Sequence, residues 1–102
     1  MTINYRVAAS ADITLLLELV KEFHKNEQLA FDEKVDRDVL ANFLTDPSLG
    51  QAWMIQQEDE AIGYIILTLG YSLEYRGRDA FIDEFYLRQK YRGQGIGTQT
   101  LA

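Results

Sequence analysis

Three glycines spaced two apart, Gly93, Gly95 and Gly97, follow an apolar run from Asp79 to Leu87 and a basic turn. That order constrains the chain more than anything else in it. The run holds Phe81, Ile82, Phe85, Tyr86 and Leu87 and reads as a strand. The glycines admit backbone conformations that other residues avoid, and a helix is expected to open near Gly95. A helix start leaves backbone N–H groups without partners and gathers partial positive charge, so this junction reads as an anion cradle. Arg88, Lys90 and Arg92 are expected to add mobile positive charge. A plain turn with incidental glycines is the alternative; the strand, the bases and the helix start together weigh against it. The dinucleotide fingerprint is excluded because position 98 is Thr98, and a Walker loop because Gly-Lys-Ser/Thr is absent.

The remainder reads as one mixed α/β (α+β) domain. Ile3–Val7 alternates apolar and polar residues, as a half-buried strand does. Ser10 is the expected N-cap of an amphipathic helix in which Ile13, Leu16, Leu17, Val20 and Phe23 share a face. His24, the single histidine, is read as a boundary residue at the end of that stripe. Residues 26–35 read as a loop and Asp36–Thr45 as a second helix, stopped by Pro47 and Gly50. Gln51–Gln57 and Ala61–Tyr71 are expected strands joined at Glu58–Glu60, and residues 72–78 a polar connection. The order is β-α-α-β-β-β-α, with an antiparallel meander in its middle.

Composition narrows the chemistry. The 102 residues suffice for one domain, and no apolar run approaches the roughly 18–20 residues of a membrane span. Zero cysteines rule out a disulfide scaffold and a thiolate nucleophile, and one histidine argues against an imidazole metal site. A net charge of −6 argues against non-specific nucleic-acid binding. Half of the ten cations nevertheless lie within residues 76–92, beside the glycines. Met1–Ser10 has no leader-like apolar core, so a cytoplasmic protein is expected.

At Arg92-Gly93-Gln94-Gly95-Ile96-Gly97 the sequence resembles the GNAT superfamily of acetyl-CoA-dependent N-acetyltransferases. Ile82-Asp83-Glu84-Phe85-Tyr86-Leu87 before the glycines, and Thr98 and Leu101 after them, agree with that pattern. The Asp-Glu pair looks most like the polyamine and small-amine members. The resemblance implies a mostly antiparallel sheet flanked by helices, with acetyl-CoA and a small amine as ligands and no metal. Arg92 and the backbone of Gly93, Gln94, Gly95, Ile96, Gly97 and Thr98 would hold the pyrophosphate. Phe85, Tyr86 and Leu87 would pair with the pantetheine arm, and the Leu87 amide would polarise the thioester carbonyl. Asp83, somewhat ahead of Glu84, would take the proton from the amine. Adjacent strand residues point to opposite faces, so one of the two is expected to face the substrate; a plain acid pair bonded to Arg76 or Arg78 is the alternative. The interhelical acids Glu27, Asp32, Glu33, Asp36 and Asp38 would form one wall of the acceptor site, or else a solvated loop. Tyr71 and Tyr75 would line that cleft, or serve as core and loop aromatics.

The pattern breaks at Ala102, where the family continues for another third of a domain, including a strand beside Asp79–Leu87 and a helix that often carries a thiolate-protonating tyrosine. No general acid is therefore assigned. Either a truncated piece of a longer acetyltransferase or a shortened protein that completes its sheet with another chain is implied, and a homo-oligomer or poor solution behaviour is expected of the uncovered strand. The rival readings are a non-catalytic acyl-CoA-binding or dimerisation module and a nucleotide-phosphate binder.

Overall fold

Ile3–Val7 forms strand β1, as its alternation predicts. In this computed structural model, which describes residues 2–74, 76–93 and 95–101, β1 pairs antiparallel with β2 (Gly50–Gln57). Strand β2 pairs with β3 (Glu60–Ser72), and β3 with β4 (Gly77–Leu87), all antiparallel. The sheet order β1-β2-β3-β4 leaves one side of β4 open among the described residues. The expected element order holds, with β3 and β4 each somewhat longer than predicted.

Helix α1 (Ile13–Asn26) is preceded by a 3-10 turn over Ser10–Asp12, so Ser10 is not its N-cap. The Asp12 carboxylate organises that turn instead. It accepts the Ala9 N–H at 2.8 Å and two Arg6 N–H groups at 2.8 and 2.9 Å, a charge-assisted arrangement that a serine hydroxyl cannot match. Helix α2 (Glu33–Thr45) begins earlier than predicted, because Asp32 caps it. Asp32 Oδ1 accepts the Val35 N–H at 3.0 Å, and the Asp32 N–H donates to Asp36 Oδ2 at 2.8 Å. Glu33 is consequently helical, with Asp36 and Asp38, rather than part of the expected loop.

Adjacent strand residues face opposite sides of the sheet, and two apolar clusters follow. On one face α1 and α2 cover Ala52, Met54, Tyr64, Ile66 and Tyr86 with Leu16, Leu17, Leu19, Val20 and Leu40. On the other, Ile55, Ile62 and Leu87 pack with Tyr91 and with Ile96 of the short helix α3 (Ile96–Leu101).

Two residues are extra in the ladder. Ile55 pairs Gly63 while Gln56 pairs Ala61, leaving Ile62 over. Ile66 pairs Glu84 while Leu67 pairs Ile82, which makes Asp83 a bulge in β4. A bulge sets two residues against one partner and re-aims their side chains.

Candidate active site

Two features meet along β4. The first is its open edge and the turn that follows. Arg88 donates its N–H to the Ile62 carbonyl at 2.8 Å. Antiparallel pairs alternate between bonded and non-bonded, so Leu87 opposite Gly63 and Phe85 opposite Ile65 turn their N–H groups away from β3, toward the open edge. Past Leu87 the chain makes a 3-10 turn over Gln89–Tyr91 and reaches Gly93 and Gly95, with φ of 79° and 77°. Nothing lies within 4 Å of where a Cβ would stand on either glycine. The turn is thus an open cradle in the left-handed conformation that glycine favours. Helix α3 starts at Ile96, whose side chain is buried while its backbone heads the helix. Gly97 sits against Phe85, a Cβ on it standing 3.9 Å from the ring.

The bases of this turn are more constrained than the sequence suggests. Arg88 donates through Nε and Nη2 to Glu22 on α1, at 3.2 and 2.9 Å, and Tyr86 donates its hydroxyl to the same carboxylate at 2.9 Å. Burial, and then that bond to Glu22, pushes the Tyr86 phenol above its ordinary range. Glu22 therefore ties α1 to the end of β4, and Arg88 serves structure rather than supplying mobile charge. Lys90 lies 3.9 Å from Glu60, which also accepts the Tyr91 hydroxyl. Arg92 Nε donates to the Leu87 carbonyl at 2.8 Å and its guanidinium lies 5.5 Å from the Tyr86 ring centre. Arg92 is thereby held at the mouth of the glycine turn.

The second feature is a pocket of about 130 Å³ between β3, β4, α1 and α2. Val20, Val39, Leu40, Phe43 and Ile66 give its apolar lining; His24, Asp36, Asp83 and Glu84 also line it. Both residues of the acid pair line the one pocket. Asp83 occupies the bulge, where the strict alternation of strand faces is interrupted. Glu84 is partly buried and fully engaged: Oε1 accepts the Tyr64 hydroxyl at 2.8 Å, and Oε2 lies 2.7 Å from His24 Nε2. His24 Nδ1 lies 3.1 Å from the Ala30 carbonyl. Asp83 is exposed at the pocket rim. Among the described residues neither Arg76 nor Arg78 pairs with these acids; Arg78 donates to the Ser48 carbonyl at 3.2 Å.

The electrostatics follow from those contacts. Burial works against charge on the His24 ring, but the hydrogen bond and charge of Glu84 outweigh it, with help from Ala30 and Asp36, and hold His24 above its ordinary value. Burial, reinforced by the Glu84 charge, pushes the Tyr64 phenol far above its usual range, so it stays a donor.

Sequence reasoning missed His24 as a pocket residue. It does end the apolar stripe of α1, but its partner is 60 residues away, and no local signal points there. Asp32 spends a carboxylate oxygen on capping α2, a role its position ahead of the Val35–Phe43 apolar spacing could have disclosed. Glu27 is exposed just past α1, and Tyr71 is 72% exposed near the end of β3 opposite Arg78, so it is not a core residue. Neither lines the pocket. Tyr75 and Gln94 lie outside the described residues.

Residues 15–102 match the model of the Acetyltransferase (GNAT) family. Thialysine N-epsilon-acetyltransferases of Bos taurus and Mus musculus are 25% and 27% identical across 94% of this chain. The chain spans 61% of the length of these curated relatives. Among solved structures, an integron cassette protein from the mobile metagenome of Cole Harbour Salt Marsh superposes with a TM-score of 0.88 at 36% identity, covering 95% of this chain and 66% of that one. A predicted acetyltransferase with acetyl-CoA from Clostridium acetobutylicum gives 0.82 at 24% identity, covering 98% and 69%.

Proposed function

The chain belongs to the acetyltransferase (GNAT) family, and from that membership we propose that it transfers acetyl from acetyl-CoA directly to a primary amine of a small, cationic acceptor. One observation carries the reading: a strand edge with outward amides at Phe85 and Leu87 leads, through one 3-10 turn, to the positive-φ glycines Gly93 and Gly95. The likeness to thialysine N-epsilon-acetyltransferases supports an amine acceptor.

In this reading acetyl-CoA supplies an activated acyl thioester. The backbone from Gly93 to Thr98, with Arg92, binds its diphosphate. The outward N–H groups of β4 align its pantetheine arm, and the Leu87 N–H donates to the thioester carbonyl as charge builds there. Three residues separate Glu84 from Leu87, about 10 Å along a strand, which sets the acid pair within reach of a small acceptor. A protonated amine is not a nucleophile, so a carboxylate must first take its proton. In this reading Asp83, exposed in the bulge, takes that proton; Glu84 sits beside it in the same pocket. A cytoplasmic setting belongs to the same reading; no helix among the described residues is long and apolar enough to cross a membrane.

A thiol-release assay with acetyl-CoA and a panel of polyamines tests the activity. The expected result is amine-dependent release of coenzyme A; a non-catalytic binding module releases none. Calorimetry tests the cradle. Arg92→Ala and Gly95→Trp should each abolish coenzyme A binding, and unchanged affinity in both would refute the assignment. Asp83→Asn should lower turnover at neutral pH by at least about a hundredfold while sparing coenzyme affinity; equal turnover removes Asp83 as the base.

A further inference from the structure

Among the described residues lining the Asp83–Glu84 pocket, His24 is the only side chain that can carry positive charge. Its ring nitrogens face two different acceptors. Nδ1 meets the Ala30 carbonyl, which can only accept, so Nδ1 carries a proton. Nε2 meets Glu84 Oε2 at 2.7 Å. Tyr64 donates to the other Glu84 oxygen. A single proton is therefore shared along the Nε2–Oε2 contact, whether the state is drawn as imidazolium beside carboxylate or imidazole beside carboxylic acid. Asp83, next in the chain and lining the same pocket, is exposed at its rim.

We propose that His24 is a positioning residue that holds and releases the proton of Glu84, so that the His24–Glu84 pair takes over the proton that Asp83 removes from an acceptor ammonium. This rests on the reading of the pocket as the acceptor side of an acetyltransferase. The protons balance. The shared proton first leaves to solvent, giving a neutral imidazole protonated at Nδ1 and an ionised Glu84. The bound ammonium then passes one proton to Asp83, its N–H bonding pair staying on nitrogen; Asp83 hands that proton to Glu84, and the His24–Glu84 pair is singly protonated again. The free amine is now the nucleophile, and no oxidant or further reactant enters. The groups facing His24 are Glu84 and Asp83 from β4, Tyr64 from β3 and Asp36 from α2; Lys21 and Lys25 lie on its own helix. This mostly acidic surround favours keeping the proton, in line with the raised His24 titration, and suits a base working near neutral pH.

Two measurements decide it. In the 102-residue chain, NMR of the His24 ring gives its titration midpoint with and without 1,3-diaminopropane, ionic strength being matched with NaCl. An ammonium docked beside the pair should lower the midpoint by about one pH unit; an unchanged midpoint overturns the proposal, whether or not turnover is seen. In the thiol-release assay, His24→Gln keeps an N–H toward Glu84 but cannot exchange a proton. It should lower kcat/KM for the amine about tenfold or more at pH 7 and displace the acid limb of the pH profile, leaving KM for acetyl-CoA within about twofold. An unmoved limb with kcat/KM within about twofold of the parent refutes it. If the parent releases no coenzyme A, the acceptor reading fails, and the ring titration still decides the proton-sharing pair.

Discussion

At the scale of single residues, the contact between His24 and Glu84 governs how the pocket responds to pH. Because the folded-state titration of His24 is raised, the pair contributes stability that is complete below the unfolded histidine value of about 6.5. That contribution is lost as pH rises through the folded value. Urea midpoints measured at pH 6 and pH 9 should therefore differ more in the parent than in His24→Gln. Equal differences would mean the pair adds nothing to folding. Glu84→Gln should bring the His24 NMR midpoint down, since the charge that holds it up is gone; a midpoint that stays put would show that Ala30 and Asp36, not Glu84, hold it up. Asp12 carries the opposite sign. Its hydrogen bonds to Arg6 lower its titration against burial, so its contribution is present at neutral pH and fades as acid is added.

At the scale of elements, three devices place the site. Asp32 starts α2 and so sets Asp36 and Val39 against the pocket. Asp32→Ala should cost about 0.5–2 kcal/mol in denaturant unfolding, and a neutral effect would show that the cap is dispensable. Glu22 ties α1 to Tyr86 and Arg88 at the end of β4. Gly63 lets β3 and β4 come together opposite Leu87, where a Cβ would run into the Tyr86 carbonyl. Gly63→Ala should therefore destabilise the chain by about 1–3 kcal/mol and disturb the β4 edge, lowering coenzyme A affinity in the same variant. Unaltered stability and affinity would show that the strands give way without cost.

At the scale of the whole molecule, the sheet of the described residues has β4 at its edge, with Phe81 and Ile82 60% and 52% exposed and with outward backbone donors. An unprotected edge of this kind invites pairing with another chain. Size-exclusion chromatography should find these 102 residues larger than a monomer, and saturating coenzyme A, by occupying the same edge, should shift them toward it. A compact monomer in the absence of ligand would contradict this.

Much of this was legible in the residues themselves. Periodicity determined the strands and helices, because amphipathic spacing records which face is buried. The glycine turn was legible because positive φ, found at Gly93 and Gly95, is a conformation that glycine favours. What only the tertiary structure decided depends on partners far apart in the chain. The bulge that turns Asp83 and Glu84 into one pocket exists only in the pairing of β3 with β4. The outward amides of β4 follow from a register fixed between Ile62 and Arg88. The proton shared by His24 and Glu84 requires the end of α1 to be packed against the sheet. Local sequence carries preferences for conformation; it does not carry the distances across which a carboxylate, an imidazole and a phenol come to share protons.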